Sequence, residues 1–253
     1  MKEFLRPIYN NSSVIKFRNL LGIKPVIFKE LSGSYAGSDL FIWRTDGDFS
    51  TIFRASDIAY NYYKKTSRLK LLFFDSNGEL IEDVEVPFKG EVVNFKIDQS
   101  FLGREGFGSF LAFNLIDEIS DSPQITNRCY VGYSINRDDP SFVHGNVISK
   151  YVSQGPKGSD ISLNNKFFEH NINTQYLIQK DFSLLDRTEL FFTNPLEKEI
   201  TINANENSIT LMPLETDKIS VNECELIKVN SNFGFPRPVV FSYRENFFDV
   251  HHA

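Results

Sequence analysis

The sequence predicts an all-β fold of two tandem β-sandwich modules, Ig-like or jelly-roll-like, related by internal duplication. Three observations support this prediction: short segments of alternating apolar and polar residues, turn signals at regular intervals, and a repeated order of similar segments. The 25 Phe and 10 Tyr residues favour the same class, because aromatic side chains suit a half-buried, pleated surface. Helix is expected only as short turns, over residues 56–63 and 113–119.

The alternation predicts strands in both parts of the chain. IEDVEVPF at 81–88 and EITINA at 199–204 place apolar side chains at every second position or close to it. Turn-forming residues separate such segments, as in DSNG at 75–78 and NP at 194–195. Short strands between turns are typical of sandwiches.

Three pairs of segments recur in the same order, which indicates duplication. LFIWRTDGDFSTIFR at 40–54 resembles YLIQKDFSLLDR at 176–187, and LKLLFFDSNGELI at 69–81 resembles TELFFTNPLEKEI at 188–200. RCYVGYSINRDDPSFVHGN at 128–146 resembles RPVVFSYRENFFDVHHA at 237–253, so that Tyr133 matches Phe241 and His144 matches His251. We therefore predict an N-terminal arm at 1–24, a first module at 25–147, a linker at 148–168 and a second module at 169–253.

Composition excludes some functions. The net charge of −6 argues against nucleic-acid binding, which needs a concentrated cationic face. No long apolar run or export signal is found, so we expect no membrane partner and a cytoplasmic location. Cys129 and Cys224 are then expected to be reduced core residues.

Two segments contain the residue types of a divalent-metal site. His144 follows Asp138, and His251 follows Asp249; imidazole and carboxylate groups are common metal ligands. Neither segment alone supplies three ligands, and His251 and His252 point to opposite faces of a strand. The favoured interpretation is that these histidines support the fold, so that no cofactor is expected; a divalent metal is the alternative.

The candidate binding residues are aromatic and basic. Tyr60, Tyr62, Tyr63 and Lys64 lie in an insertion that only the first copy carries, and they could stack on sugar rings or form a protein interface. The other interpretation is that they cover a sheet edge. Arg137 and Arg244 occupy matching positions and could bind a carboxylate or phosphate, although a structural role requires fewer assumptions.

The sequence favours a non-enzymatic binding or assembly protein, contacting a glycan or protein partner through loops of the first module. A homo-oligomer is a further expectation. The alternatives are a divalent-metal-dependent enzyme with a His/carboxylate site and a structural subunit of a larger assembly. No nucleophile elbow, zinc-protease or phosphate-loop motif occurs. Gly103, Gly106 and Gly108 are predicted to be turn or bulge residues, and Trp43 is predicted to lie in the core.

Overall fold

The computed structural model describes residues 35–88, 92–116, 125–126, 129–136, 139–145, 150–153, 163–165, 173–179, 185–221, 226–234, 237–245 and 247–252, and residues 13, 14, 17, 20 and 21. Strands dominate these residues, so the predicted all-β class is confirmed. Within these ranges, no helix is long and apolar enough to cross a membrane.

The described residues between 35 and 165, which we call the first half, form twelve strands. They are β1 (Tyr35–Ser38), β2 (Leu40–Arg44), β3 (Phe49–Ser56), β4 (Ser67–Asp75), β5 (Leu80–Pro87), β6 (Val92–Ile97), β7 (Phe107–Ile116), β8 (Ile125–Thr126), β9 (Cys129–Ile135), β10 (Ser141–His144), β11 (Lys150–Ser153) and β12 (Leu163–Asn165). Two short helices join them, α1 (Ile58–Tyr63) and α2 (Gln99–Leu102).

The described residues between 173 and 252, which we call the second half, form eight strands. They are β13 (Thr174–Gln179), β14 (Arg187–Thr193), β15 (Ile200–Ala204), β16 (Asn207–Leu211), β17 (Thr216–Val221), β18 (Leu226–Ser231), β19 (Val239–Arg244) and β20 (Phe247–His252).

The strands form four antiparallel sheets and one mixed sheet, each of four strands. Sheet 1 has the order β2-β7-β4-β5, sheet 2 β10-β9-β3-β6, sheet 3 β13-β18-β15-β16 and sheet 4 β17-β14-β19-β20. Sheet 5, with the order β12-β11-β1-β8, is mixed because β1 pairs in parallel with β8.

Sheets 1 and 2 pack face to face around an aromatic cluster. Alternate residues of β3 are buried. The ring of Phe53 in β3 lies 5.3 Å from Phe41 in β2 and 5.2 Å from Phe110 in β7. Trp43 also lies in this first cluster, with 1% of its surface exposed, and its indole nitrogen donates to the Phe74 carbonyl. The prediction that Trp43 is a core residue is confirmed.

A second apolar cluster lies between sheets 3 and 4. Leu190 and Val240 of sheet 4 meet Ile202 and Val229 of sheet 3, and all four are fully buried. Sheet 5 covers the other face of sheet 1, where Phe74 packs with Val152. Sheet 1 is therefore covered on both faces, which explains why β7 is almost continuously buried instead of alternating.

The outer face of sheet 4 closes the first cluster from the side. Phe191, Val239, Phe241 and Val250 belong to strands of the second half, yet they pack with the residues between sheets 1 and 2. The Phe241 ring lies 4.7 Å from the Tyr133 ring. The two halves thus share one apolar cluster.

Polar contacts also join the two halves. The buried Lys150 donates to Glu197 at 2.9 Å, and the Thr216 amide donates to the Ser76 carbonyl at 3.0 Å. Gly78 has a positive φ of 79°, and a Cβ added there would lie 2.6 Å from the Pro213 carbonyl oxygen. Only glycine permits this close approach of the two halves.

The two pairs of sheets have corresponding strand orders. We number eight strands in each half, starting at β2 in the first half and at β13 in the second, and leave out β8. In this numbering, sheets 1 and 3 both have the order first, sixth, third, fourth. Sheets 2 and 4 both contain the eighth, seventh, second and fifth strands in that order. The order of strands is therefore repeated along the chain.

The residue matches predicted from the repeated segments are wrong in two places. Tyr133 faces the first cluster, whereas Phe241 points away from the second cluster and Val240 beside it points in. A shift of one residue exchanges the faces of a strand, so Tyr133 and Phe241 are not equivalent. The segment at 188–200 begins with β14, whose place in sheet 4 corresponds to β3 rather than to β4.

The described residues include parts of the predicted linker but few residues of the predicted N-terminal arm. Strands β11 and β12 lie within the predicted linker at 148–168 and belong to sheet 5. Most of the predicted arm at 1–24 lies outside the described residues, as do Cys224 and His170. Cys129 is buried as predicted, and burial raises the pKa of its thiol.

Candidate functional site

A set of buried and half-buried polar side chains lies between sheet 4 and the first half. Arg44, at the end of β2, has 2% of its surface exposed. Its Nε and Nη2 atoms donate to the two carboxylate oxygens of Asp46 at 2.9 and 2.8 Å. Its Nη1 atom donates to Glu189 Oε2 at 3.1 Å and to the Tyr243 hydroxyl at 2.7 Å. We call Arg44, Asp46, Glu189, Lys218 and Tyr243 the Arg44 cluster.

Glu189 is the carboxylate at the centre of this cluster. It accepts hydrogen bonds from the Tyr243 hydroxyl and from Lys218 Nζ, both at 2.6 Å. Burial alone would raise the pKa of Glu189, but the hydrogen bonds from Lys218 and Tyr243 and the charge of Arg44 lower it below its usual value. Burial raises the pKa of Tyr243 to about 12. Glu189 is therefore ionised and Tyr243 is neutral at neutral pH.

Aromatic rings surround the Arg44 guanidinium. Its Cζ atom lies 4.0 Å from the centre of the Phe49 ring, 4.7 Å from Phe191 and 4.6 Å from Phe241. Burial would lower the pKa of Arg44, but the hydrogen bond to Asp46 and the nearby negative charges raise it. The cation is thus compensated by carboxylates and by ring faces, which is the arrangement expected of a structural ion cluster.

Arg44 and Glu189 are not among the site residues predicted from the sequence. One signal was present, because Arg44 directly follows the apolar run FIW and Glu189 directly precedes the apolar run LFF. A charge in such a strand needs a buried partner, but nothing local identifies that partner.

The predicted metal ligands do not form a site among the described residues. His144 lies beside His252 rather than His251: their rings are 5.3 Å apart, and His252 Nε2 contacts the His144 carbonyl. His251 Nδ1 is 3.8 Å from Asp249, and Asp138 lies outside the described residues. No group of three His, Cys, Asp or Glu side chains in the described part of the chain could hold a metal ion.

The histidines lie along the seam between β10 and β20. Ser141 contacts both Asp249 and the backbone amide of Val250. Burial lowers the pKa of His252 to about 4, so it is neutral at neutral pH. The seam is one more contact between the two halves.

Only one of the two arginines predicted as binding residues lies in the described part of the chain. Arg244 is exposed at the end of β19 and lies opposite Phe247 in the hairpin, whereas Arg137 is outside the described residues. The glycine prediction is confirmed in part: Gly103 ends α2 in a left-handed conformation, and Gly106 also has a positive φ. Gly108 instead lies in β7, too close to the Phe74 carbonyl to carry a side chain.

The predicted tyrosines lie on α1. Asp57 caps this helix by accepting from the Tyr60 amide at 3.0 Å, and it also accepts from the Ser67 hydroxyl at 2.9 Å. Tyr60 and Tyr63 are 44% and 48% exposed, and residues three apart share one side of a helix. Lys64 Nζ lies 5.1 Å from the Tyr60 ring. We call Tyr60, Tyr63 and Lys64 the Tyr60 surface. The side chain of Tyr62 is not among those that the structure describes.

A second exposed surface lies on the outer face of sheet 2. His144, Tyr130, Arg54 and Asn94 are opposite one another across its four strands, and all four are exposed. Arg54 Nε donates to Asn94 Oδ1 at 2.7 Å, and its guanidinium lies 4.8 Å from the Phe142 ring. We call these five residues the Arg54 face. The strand registers that bring these five residues together are not visible in the sequence.

Comparison with known proteins gives little guidance. No protein family and no curated protein matches the chain. Among solved structures, the chain is similar to the major pilin protein (T3.2) from Streptococcus pyogenes serotype GAS13637, with 10% identity over 84% of each chain and a TM-score of 0.23. A similarity at that TM-score carries no argument about function.

Proposed function

We propose that the chain is a non-enzymatic binding protein that contacts a glycan or protein partner through the Tyr60 surface. We also propose that it consists of two β-sandwich modules related by duplication, sheets 1 and 2 forming one and sheets 3 and 4 the other. The matching strand orders and the two apolar clusters support the duplication.

The observation that carries the binding proposal is the exposure of two tyrosine rings on a firmly held helix. Ala59 on the same helix is fully buried, and Asp57 fixes the first turn. Tyrosine offers an apolar ring and a hydrogen-bonding hydroxyl at a low cost in side-chain entropy, which suits both sugar rings and protein surfaces. A rigid support reduces the entropy lost on binding.

The contacts within the Arg44 cluster support a structural role for these five residues. Its two carboxylates and its three donor side chains are engaged with one another. Catalytic groups need a reacting atom within hydrogen-bonding distance, and here those positions are occupied by the partners within the cluster.

The Tyr60→Ala/Tyr63→Ala double variant tests the proposal on a glycan array. We expect the wild-type chain to bind a subset of glycans and the double variant to bind them about tenfold more weakly or worse, because both rings are lost. Phe247→Ala is the matched control, since Phe247 is 77% exposed in the second half.

Equal binding by the double variant and the wild type would contradict the proposal.

A structural subunit of a larger assembly is the second candidate, supported by the apolar side chains of Leu177 and Leu226, 52% and 42% exposed on sheet 3. Self-association in light scattering, with no glycan bound, would favour that candidate. The cytoplasmic location stays a prediction, and so does the metal-dependent alternative.

A further inference from the structure

We propose that the Arg54 face is a separate binding site for an acidic glycan, in which Arg54 binds a sugar carboxylate while Tyr130 and Phe142 pack against sugar rings. The inference goes beyond the Tyr60 surface and shares no residue with it. It rests on the proposed function only in that the chain is taken to be a binding protein.

Arg54 is held in place with its charge still available. The hydrogen bond from Nε to Asn94 and the contact with the Phe142 ring restrict the guanidinium from two sides. No carboxylate of the described residues forms an ion pair with Arg54. The two terminal nitrogens of an arginine fit the two oxygens of a carboxylate, so a pre-oriented guanidinium is suited to that group.

Gly132 provides the space for the aromatic part of the site. It lies directly opposite Phe142 in the β9–β10 pair, and a Cβ added there would be 2.5 Å from the Phe142 ring. The absence of a side chain lets the ring lie over the strand and beneath the guanidinium. Tyr130, 51% exposed, is the next neighbour of Arg54 on the same strand pair. Neighbouring strands are about 4.8 Å apart, so these side chains follow one another at a spacing comparable to a sugar unit.

The charged residues of sheet 2 favour a negatively charged ligand. Strands β3, β6, β9 and β10 contain no Asp or Glu, although the whole chain has 33 acidic and 27 basic residues. Arg54 and Lys96 are the exposed cations on this face, and Lys96 is paired with Asp98 at 2.7 Å. A basic face on an acidic chain is complementary to an anion.

The same charges favour a carboxylated sugar over a nucleic acid. Nucleic-acid binding depends on several Lys or Arg contacts to successive phosphates. One available arginine beside two aromatic rings instead matches one carboxylate on a ring with apolar faces. A single-stranded nucleic acid is therefore treated as an outcome of the test.

Titration calorimetry with oligogalacturonate tests the inference, with its methyl ester as a neutral probe of the same ring geometry. We expect the wild-type chain to bind the acidic oligomer and to bind the ester about tenfold more weakly, because the ester lacks the charge that Arg54 recognises. Arg54→Gln should weaken binding of the acidic oligomer to the same extent. Arg54→Lys should retain only part of the affinity, because it keeps the charge but loses the planar fork.

Two control variants isolate the site. Arg187→Gln removes another exposed arginine, in β14 of the second half, and Phe247→Ala removes an exposed aromatic ring of the second half; both should leave binding unchanged. Circular dichroism confirms that each variant is folded. No binding of the acidic oligomer, equal binding by Arg54→Gln, or equal binding of the ester would overturn the inference. A single-stranded oligonucleotide that binds more tightly and depends on Arg54 would overturn it in favour of nucleic acid.

Discussion

The free energy of unfolding of the Arg44→Met variant is expected to be about 3–5 kcal/mol lower than that of the wild-type chain. This is the usual cost of removing one partner of a buried ion pair. Methionine retains much of the apolar volume between Phe49, Phe191 and Phe241 but leaves Glu189 without its cation on one side. Lys218 and Tyr243 still bind Glu189 in this variant. The expected loss of stability therefore reflects the removal of the arginine and not the loss of every contact in the cluster.

Urea unfolding followed by circular dichroism measures this change. Arg54→Met is the matched control: it removes an exposed arginine, and its cost should stay within about 1 kcal/mol. A double-mutant cycle of Arg44→Met with Glu189→Gln should show a coupling energy of about 0.5–3 kcal/mol, because the two side chains are in direct contact. If Arg44→Met cost no more than Arg54→Met, the Arg44 cluster would not be structural.

The Phe241→Ala variant is expected to lower the free energy of unfolding by about 3–5 kcal/mol, the usual cost of a cavity left by a buried phenylalanine. Phe241 belongs to the second half, is fully buried, and contacts Tyr133 of the first half at a ring distance of 4.7 Å. The cavity would therefore open between the two halves.

Trp43 fluorescence gives this prediction a specific readout. Trp43 is the only tryptophan in the chain, and it lies buried in the first half. We expect Phe241→Ala to shift the unfolding midpoint reported by Trp43, whereas Phe247→Ala, which alters an exposed residue, should shift it little. An unchanged Trp43 midpoint in Phe241→Ala would mean that the two halves unfold independently.

The all-β class was predictable because alternation and turn signals are local properties of the sequence. Trp43 and the turn glycines Gly103 and Gly106 were predictable for the same reason. The repeated order of segments pointed to the repeated strand order, but the exact residue matches failed. A shift of one residue reverses the face of a strand, and similarity of apolar residues does not fix the register.

The polar sites were not predictable, because they depend on contacts between distant residues. Arg44 meets Glu189 and Tyr243 across 145 and 199 positions of the chain. The Arg54 face needs the registers of four strands, and the partner of His144 proved to be His252 rather than His251. The Tyr60 surface was predictable, since its residues are close together in one insertion.

Buried residues join the two halves into one body, and both proposed binding surfaces lie on its outside. Differential scanning calorimetry of the wild-type chain tests the joining of the two halves most directly. Because both halves contribute to the first cluster, we expect one transition whose calorimetric and van't Hoff enthalpies agree. Two separate transitions, of which only one responds to Arg44→Met, would contradict it.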